Sequence, residues 1–221
     1  MQKTLLFVCF LTLGNLTLFA QTGKALRVAH AAEPSAAPVP LQEDPKALKT
    51  IYSNLGSSKT YLYDATQGAG LVTGPNSGAG FARFYALPFT PKNDSHVSQV
   101  QVAIQHYSGA NQVNFSIYGD TNGAPGTLLA GPVTVTDLPP YDSCCVLDVG
   151  NFTPVAVSGG TQYWLVADTP LTGTGSDFDG LWANVAKPVI VMAINTPSNG
   201  EGWYAYNANG RAAAKVLGTI P

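Results

Sequence analysis

Charge is scarce in this chain. Only 11% of its 221 residues are Asp, Glu, Lys or Arg, against roughly 25% in an average soluble domain. The formal net charge is -2, so no surplus of positive charge exists to neutralise a phosphate backbone, which excludes nucleic acid as a partner. From Thr50 onward Glu201 is the single glutamate, and Lys59, Lys92, Lys187 and Lys215 are the only lysines. The residues that usually cover helix surfaces are missing there, which argues against a helical domain. Cysteine is rare too: of three, Cys9 lies in an apolar N-terminal run, and Cys144-Cys145 cannot supply a tetrahedral metal site. Histidine is limited to His30, His96 and His106, with no His-Glu-x-x-His, no Gly-x-Ser-x-Gly elbow and no phosphate-cradling loop, so the common hydrolase and nucleotide signatures are absent. No repeat of fixed period points to a propeller or solenoid.

Glycine (23) and proline (16) are plentiful, and they punctuate a chain of three parts. Residues 1–20 read as a secretory signal: Lys3, then the apolar run Thr4 to Phe19, with cleavage expected after Ala20. Gly14 and Asn15 interrupt that run, and it is short for a bilayer span of about 20 residues. Residues 21–49 mix Ala and Pro without a buried-face period (Ala31-Ala32-Glu33-Pro34-Ser35-Ala36-Ala37-Pro38) and read as a linker. Residues 50–221 read as one β domain. Val97 to His106 alternates, with Val100, Val102 and Ile104 on one face and Gln99, Gln101 and Gln105 on the other, the pattern of a half-buried strand. Val113 to Tyr118 repeats it, and Ser108-Gly109-Ala110-Asn111 between them suggests a hairpin. Phe81–Phe89, Val133–Val135, Val146–Val149, Val155–Val157, Gln162–Ala167, Leu181–Asn184, Val189–Ile194 and Trp203–Tyr206 are further strand candidates. The expected fold is an all-β, antiparallel two-sheet sandwich of jelly-roll type, with a β-barrel as the alternative.

Four stretches carry a family resemblance. Ser116-Ile117-Tyr118-Gly119-Asp120-Thr121-Asn122-Gly123-Ala124-Pro125-Gly126-Thr127-Leu128-Leu129, then Cys144-Cys145, then Gly160-Thr161-Gln162-Tyr163-Trp164-Leu165-Val166, then Gly202-Trp203 together resemble bacterial secreted β-sandwich proteins of the choice-of-anchor type, in particular the choice-of-anchor R domain. The resemblance runs from about Tyr52 to Gly218. It implies export, often with a C-terminal sorting or anchoring segment, and implies no assigned activity. This sequence stops at Ile220-Pro221 without an apolar helix or basic tail, so release or non-covalent retention is expected.

The residues that could carry chemistry are few. Cys144 and Cys145 remain after signal removal as an adjacent pair in an oxidising setting. A vicinal disulfide there would need a strained turn, because consecutive Cα atoms lie about 3.8 Å apart, below the usual disulfide range of about 4.4–6.8 Å. A turn staple and two buried thiols are the alternatives. Among aromatics, Trp164 sits in an apolar run and belongs to a core, whereas Trp182 and Trp203, the latter followed by Tyr204 and Tyr206, open strands beside acidic loops. With Asp177, Asp179 and Glu201 they would form a carbohydrate site, rings for stacking and carboxylates for hydroxyls. Asp120-Thr121-Asn122-Gly123 and Asp177-Phe178-Asp179-Gly180 each place oxygen side chains before a glycine, but neither completes a twelve-residue calcium loop. Turn chemistry accounts for both, and no metal or cofactor is expected, although scattered loop oxygens would suit Ca2+. Asp177 with Glu201 is the only carboxylate pair to nominate for glycoside cleavage.

The sequence therefore predicts a secreted, non-catalytic binding or surface-interaction module, for extracellular polysaccharide or a cell-surface component, located outside the cell or in the periplasm or at the cell surface. The mature chain has no membrane span. A self-associating structural matrix protein is the second reading, and a glycan-cleaving hydrolase the third.

Overall fold

The computed structural model describes residues 48–57, 60–61, 63–143, 146–150, 152–185, 190–208 and 211–221. The expected signal peptide, nearly all of the Ala/Pro linker, and Cys144 and Cys145 lie outside the described residues. The strands in chain order begin with β1 (Lys49–Ser53), β2 (Gly56–Ser57), β3 (Thr60–Tyr61), β4 (Asp64–Thr73), β5 (Phe84–Phe89) and β6 (Ser95–Val102). Next come β7 (Ile104–Ser108), β8 (Gln112–Thr121), β9 (Ala124–Thr136), β10 (Leu147–Val149), β11 (Val155–Val157) and β12 (Tyr163–Asp168). The last are β13 (Asp179–Val185), β14 (Ile190–Asn195), β15 (Tyr204–Ala208), β16 (Arg211–Ala212) and β17 (Ala214–Thr219), with one 3-10 turn at Pro197–Asn199.

These strands form an antiparallel β-sandwich that does not close into a barrel. One layer is a six-stranded sheet in the order β15-β14-β5-β12-β8-β9. The other layer is split: β1-β17-β6-β10, with β11 also on β6, and β16-β13-β4, with β7 on β13. The two parts of the split layer meet at three fully buried alanines, Ala103, Ala183 and Ala213. Ala103 interrupts the run from β6 to β7, and Ala213 interrupts β16 to β17. Their backbones close a ring: Ala103 N donates to Ala213 O (3.2 Å), Ala213 N to Ala183 O (2.9 Å) and Ala183 N to Ala103 O (2.8 Å). A strand leaving one part enters the other through this ring, so no backbone group is orphaned at the bend.

Alternation explains the two sides of the six-stranded sheet. Tyr85, Leu87, Phe115, Ile117, Leu165 and Met192 face the shared core. On the outward face Ala86, Trp164, Val166 and Ala193 form a second buried cluster, flanked by half-buried Tyr118 and Trp203. The candidate strand at Val189–Ile194 is buried on both sides over its described part, where Met192 serves the first cluster and Ala193 the second.

Two expectations are corrected. Val97–His106 and Val113–Tyr118 do not make a hairpin: β6 pairs β17, β10 and β11, β7 pairs β13, and β8 pairs β12 and β9. The turn at Ser108–Asn111, with Gly109 at φ 77°, instead carries the chain across to the opposite layer. Trp182 is not a surface platform either. It is fully buried, meets Phe115 edge-on at 5.7 Å, and its Nε1 donates to Ala213 O at 3.1 Å. Its strand is the central one of the split layer, with β4 on one side and β7 on the other, so the ring goes into the core and locks onto the alanine bend.

A Trp182→Ala substitution removes that ring and one of the two donors on Ala213 O. We expect a loss of about 3–5 kcal/mol in urea unfolding, whereas Tyr204→Ala, on the edge strand β15, should cost under about 0.5 kcal/mol. Equal effects would contradict the placement of Trp182 in the core.

Candidate functional site

The six residues nominated as a ligand site lie in or just before two strands, β13 and β15, of different sheets. Asp177 and Asp179 stand at the start of β13, in the split layer. Asp177 Oδ1 accepts from Ala110 N at 3.2 Å. Asp179 is opposite Ser108 of β7; burial pushes its carboxyl above the usual range, opposed by the Ser108 hydrogen bond and the nearby His106 imidazole. Glu201, Trp203 and Tyr204 belong to the segment entering β15, the edge of the six-stranded sheet. Glu201 is exposed, Trp203 is half-buried against the outward cluster, and Tyr204 is exposed beside Ile194. With Trp182 in the core, that ring cannot serve as the stacking platform that its sequence context suggests.

Asp120 resolves as turn chemistry. Thr121 pairs with Ala124, and Asn122 and Gly123 both take positive φ (54° and 78°), the two-residue hairpin that Asn-Gly favours. Desolvation works against the Asp120 charge, but hydrogen bonds from Trp164, Gln162 and Gly123 hold its carboxyl below the usual range. Trp164 Nε1 and Gln162 Nε2 each donate to Oδ1 at 2.7 Å. Trp164 is thus anchored rather than available.

A different aromatic site appears at the end of β7. Register between β7 and β13 shifts by one residue: Asp179 faces Ser108 but Gly180 faces His106, leaving Tyr107 as the extra residue of a β-bulge. Bulges re-aim a side chain and recur next to functional sites; Tyr107 is 59% exposed. Its ring meets Tyr141, 42% exposed, at 5.0 Å between centroids and 59° between planes. Tyr141 sits on a strap of chain sewn along the free side of β7. His106 N donates to Pro139 O (2.8 Å), and Tyr141 N to His106 O (3.0 Å). Asp142 N donates to Gln105 Oε1 (2.7 Å), while Asn111 exchanges two hydrogen bonds with Leu138 (2.8 and 2.9 Å). Tyr141 Oη further donates to Thr66 O of β4 at 3.3 Å. The pair is therefore fixed before any ligand arrives, and Asp142, exposed, stands next to it in the chain. His106 is held as a hydrogen-bonded strand-end residue, its Nε2 donating to Gly109 O at 2.9 Å.

Sequence reasoning overlooked both tyrosines. Tyr107 shares parity with Gln101 and Gln105, so an aromatic on the polar face of a strand was the available signal; Tyr141 follows Pro139-Pro140 and precedes Asp142, a turn with a ring on it. Two surface cavities, of about 700 Å³ beside Lys92, Asn93, Asp94 and Gly159 and of about 450 Å³ beside Tyr52, Thr90 and Lys92, lie just past the C-terminal end of β5. No group of three or more His, Cys, Asp or Glu side chains is placed to hold a metal among the described residues. No protein family, curated protein or solved structure matches this chain.

One further carboxylate is set apart by its surroundings. Asp168, on the outward face of β12, accepts from Asn114 Nδ2 at 3.1 Å, and Thr134 Oγ1 donates to Asn114 Oδ1 at 2.9 Å. Burial outweighs the Asn114 bond and raises its pKa from 3.8 to about 6. The folded state thus holds this proton more tightly than the unfolded chain does. The contribution to stability is fully present below about pH 3.8 and is lost as the pH rises through about 6. Stability of the wild type relative to Asp168→Asn should fall by about 2–3 kcal/mol between pH 3.5 and 7, measured by urea unfolding; a difference independent of pH would contradict the burial of this charge.

Proposed function

We propose that the protein is a secreted, non-catalytic module that binds extracellular polysaccharide through the Tyr107–Tyr141 pair. The observation that supports this reading is the pair itself: two exposed rings in mutual contact, positioned by a bulge and a hydrogen-bonded strap. Exposed tyrosines offer a flat apolar face with a polar tip, which suits a sugar ring that is apolar on its faces and hydroxylated at its rim. Rigid placement lowers the ordering cost of binding. The apolar run at Thr4–Phe19 and the resemblance to choice-of-anchor proteins favour an exported setting. The self-association reading would use the long edge strand β9, where Leu128 and Leu129 are exposed. Pro125 and Pro132 remove ladder donors there, and the register with β8 shifts three times; such edges resist pairing with another sheet.

Electrophoresis in gels cast with a panel of polysaccharides tests this. Retardation by at least one glycan is expected, with Tyr107→Ala and Tyr141→Ala each weakening the apparent affinity about tenfold or more while circular dichroism stays unchanged. Undiminished retardation in both variants, or its loss in Lys92→Ala instead, would overturn the assignment; a folded protein that no glycan retards would overturn the polysaccharide reading itself.

A further inference from the structure

At one end of the sandwich, polar atoms are buried without partners. Ser77 Oγ, Arg83 Nε, Thr169 Oγ1, Asp179 Oδ1 and Asn195 Oδ1 are all so placed. The pairing brings their residues to one end: Thr73 faces Asp179 on one side and Arg83 on the other, and Asn195 faces Phe84. Each such atom is expensive to leave unmade, by about 1–3 kcal/mol and more where it carries charge.

Within this group, Ser77 and Asp179 belong together. The turn from Gly74 to Gly80 is pinned on the residues just before Asp179. Gly74 N donates to Phe178 O (2.8 Å), Asn76 N to Ser176 O (2.9 Å) and Asn76 Nδ2 to Ser176 Oγ (2.9 Å). The turn is closed on itself by Ser77 N to Gly74 O (3.1 Å) and Gly80 N to Ser77 O (2.9 Å). Gly78 comes so near the carboxylate that a Cβ there would lie 4.0 Å from Asp179 Oδ2. Asp179 and Ser77 are only 7% and 8% exposed. The Ser108 bond serves the Asp179 side chain, yet Asp179 Oδ1 remains unbonded, as does Ser77 Oγ.

We propose that the Gly74–Gly80 turn and the start of β13 form a binding site for a calcium ion, with Asp179 and Ser77 as its side-chain ligands. Two hard oxygen donors, one of them an anion, at a turn held in place by hydrogen bonds are of the kind Ca2+ takes, with further oxygens completing its shell of six to eight. A single carboxylate sets the affinity low, at about 10⁻⁴–10⁻³ M, the range of extracellular modules. The site is independent of the tyrosine pair and stands or falls separately from glycan binding.

Thermal unfolding with 10 mM CaCl2 and with EDTA provides the test, on the wild type, Asp179→Asn and Ser77→Ala. Calcium should raise the wild-type Tm by about 3–10 °C and Asp179→Asn by less than about 1 °C. The two proteins should also exchange rank. In EDTA the neutral Asn is at least as stable as the buried, half-bonded carboxylate, and in calcium the wild type is the more stable. Ser77→Ala, which retains the carboxylate, should shrink the calcium shift and serves as the readout should Asp179→Asn fail to fold. A wild-type Tm indifferent to calcium, or a shift that survives in the variants, would overturn the site.

Discussion

The ring of backbone hydrogen bonds among Ala103, Ala183 and Ala213 is the constraint on which the architecture depends. A sheet bent hard enough to split leaves backbone groups facing nothing, and burial makes that intolerable. Here three strands bend at the same level, so each orphaned N–H finds the carbonyl of the next strand. Only small side chains allow three backbones to approach so closely, and all three positions are alanine. Leu55 and Val185 pack against the ring, and Trp182 covers it from the core side through its bond to Ala213 O.

From this bend the placement of everything else follows. β13 passes from the bend between β4 and β7 to the end of the sandwich, where it delivers Asp179 beneath the Gly74–Gly80 turn and beside Ser108. β7, having left β6 at Ala103, ends as a short strand whose far side has no neighbouring strand among the described residues. The Pro139–Asp142 strap takes up that side and brings Tyr141 to Tyr107. The aromatic pair and the buried carboxylate are thus products of one topological event, the departure of a strand from one sheet to another.

Strand positions were legible because strands alternate, and alternation survives in the sequence. The runs at Val155–Val157, Gln162–Ala167 and Leu181–Asn184 became strands whose ends differ by no more than two residues. Pairing partners were not legible, since β6 and β8 have the same alternation whether they pair together or lie in opposite layers. Trp182 was misplaced for a related reason. An acidic loop before it suggested exposure, but the side chain's direction is set by parity along β13, where Phe178 and Trp182 turn inward and Asp179 does not. Tyr107 was invisible to pattern reading because a bulge inserts one residue and resets the parity on which such reading relies. The turn at Asp120–Gly123, by contrast, was readable, because its requirement for positive φ is local and Asn-Gly states it directly.

The scarcity of charge gives the polar groups a particular distribution. A domain with few ionic groups cannot satisfy its interior by salt bridges, so neutral amides, hydroxyls and backbone groups must do so, as in the chain Thr134–Asn114–Asp168 and the pair of donors on Asp120. Such networks work where strands hold donors and acceptors at fixed spacing. They fail where strands end, because a loop has no ladder to register its side chains, and it is at strand ends that Ser77, Thr169, Asp179 and Asn195 keep unbonded atoms. Arg211 Nε, on β16, is one such atom elsewhere, but Ser77 and Asp179 keep theirs at a turn tied down by five hydrogen bonds, and the rigidity that leaves those atoms unmet also prevents them from relaxing to meet other partners.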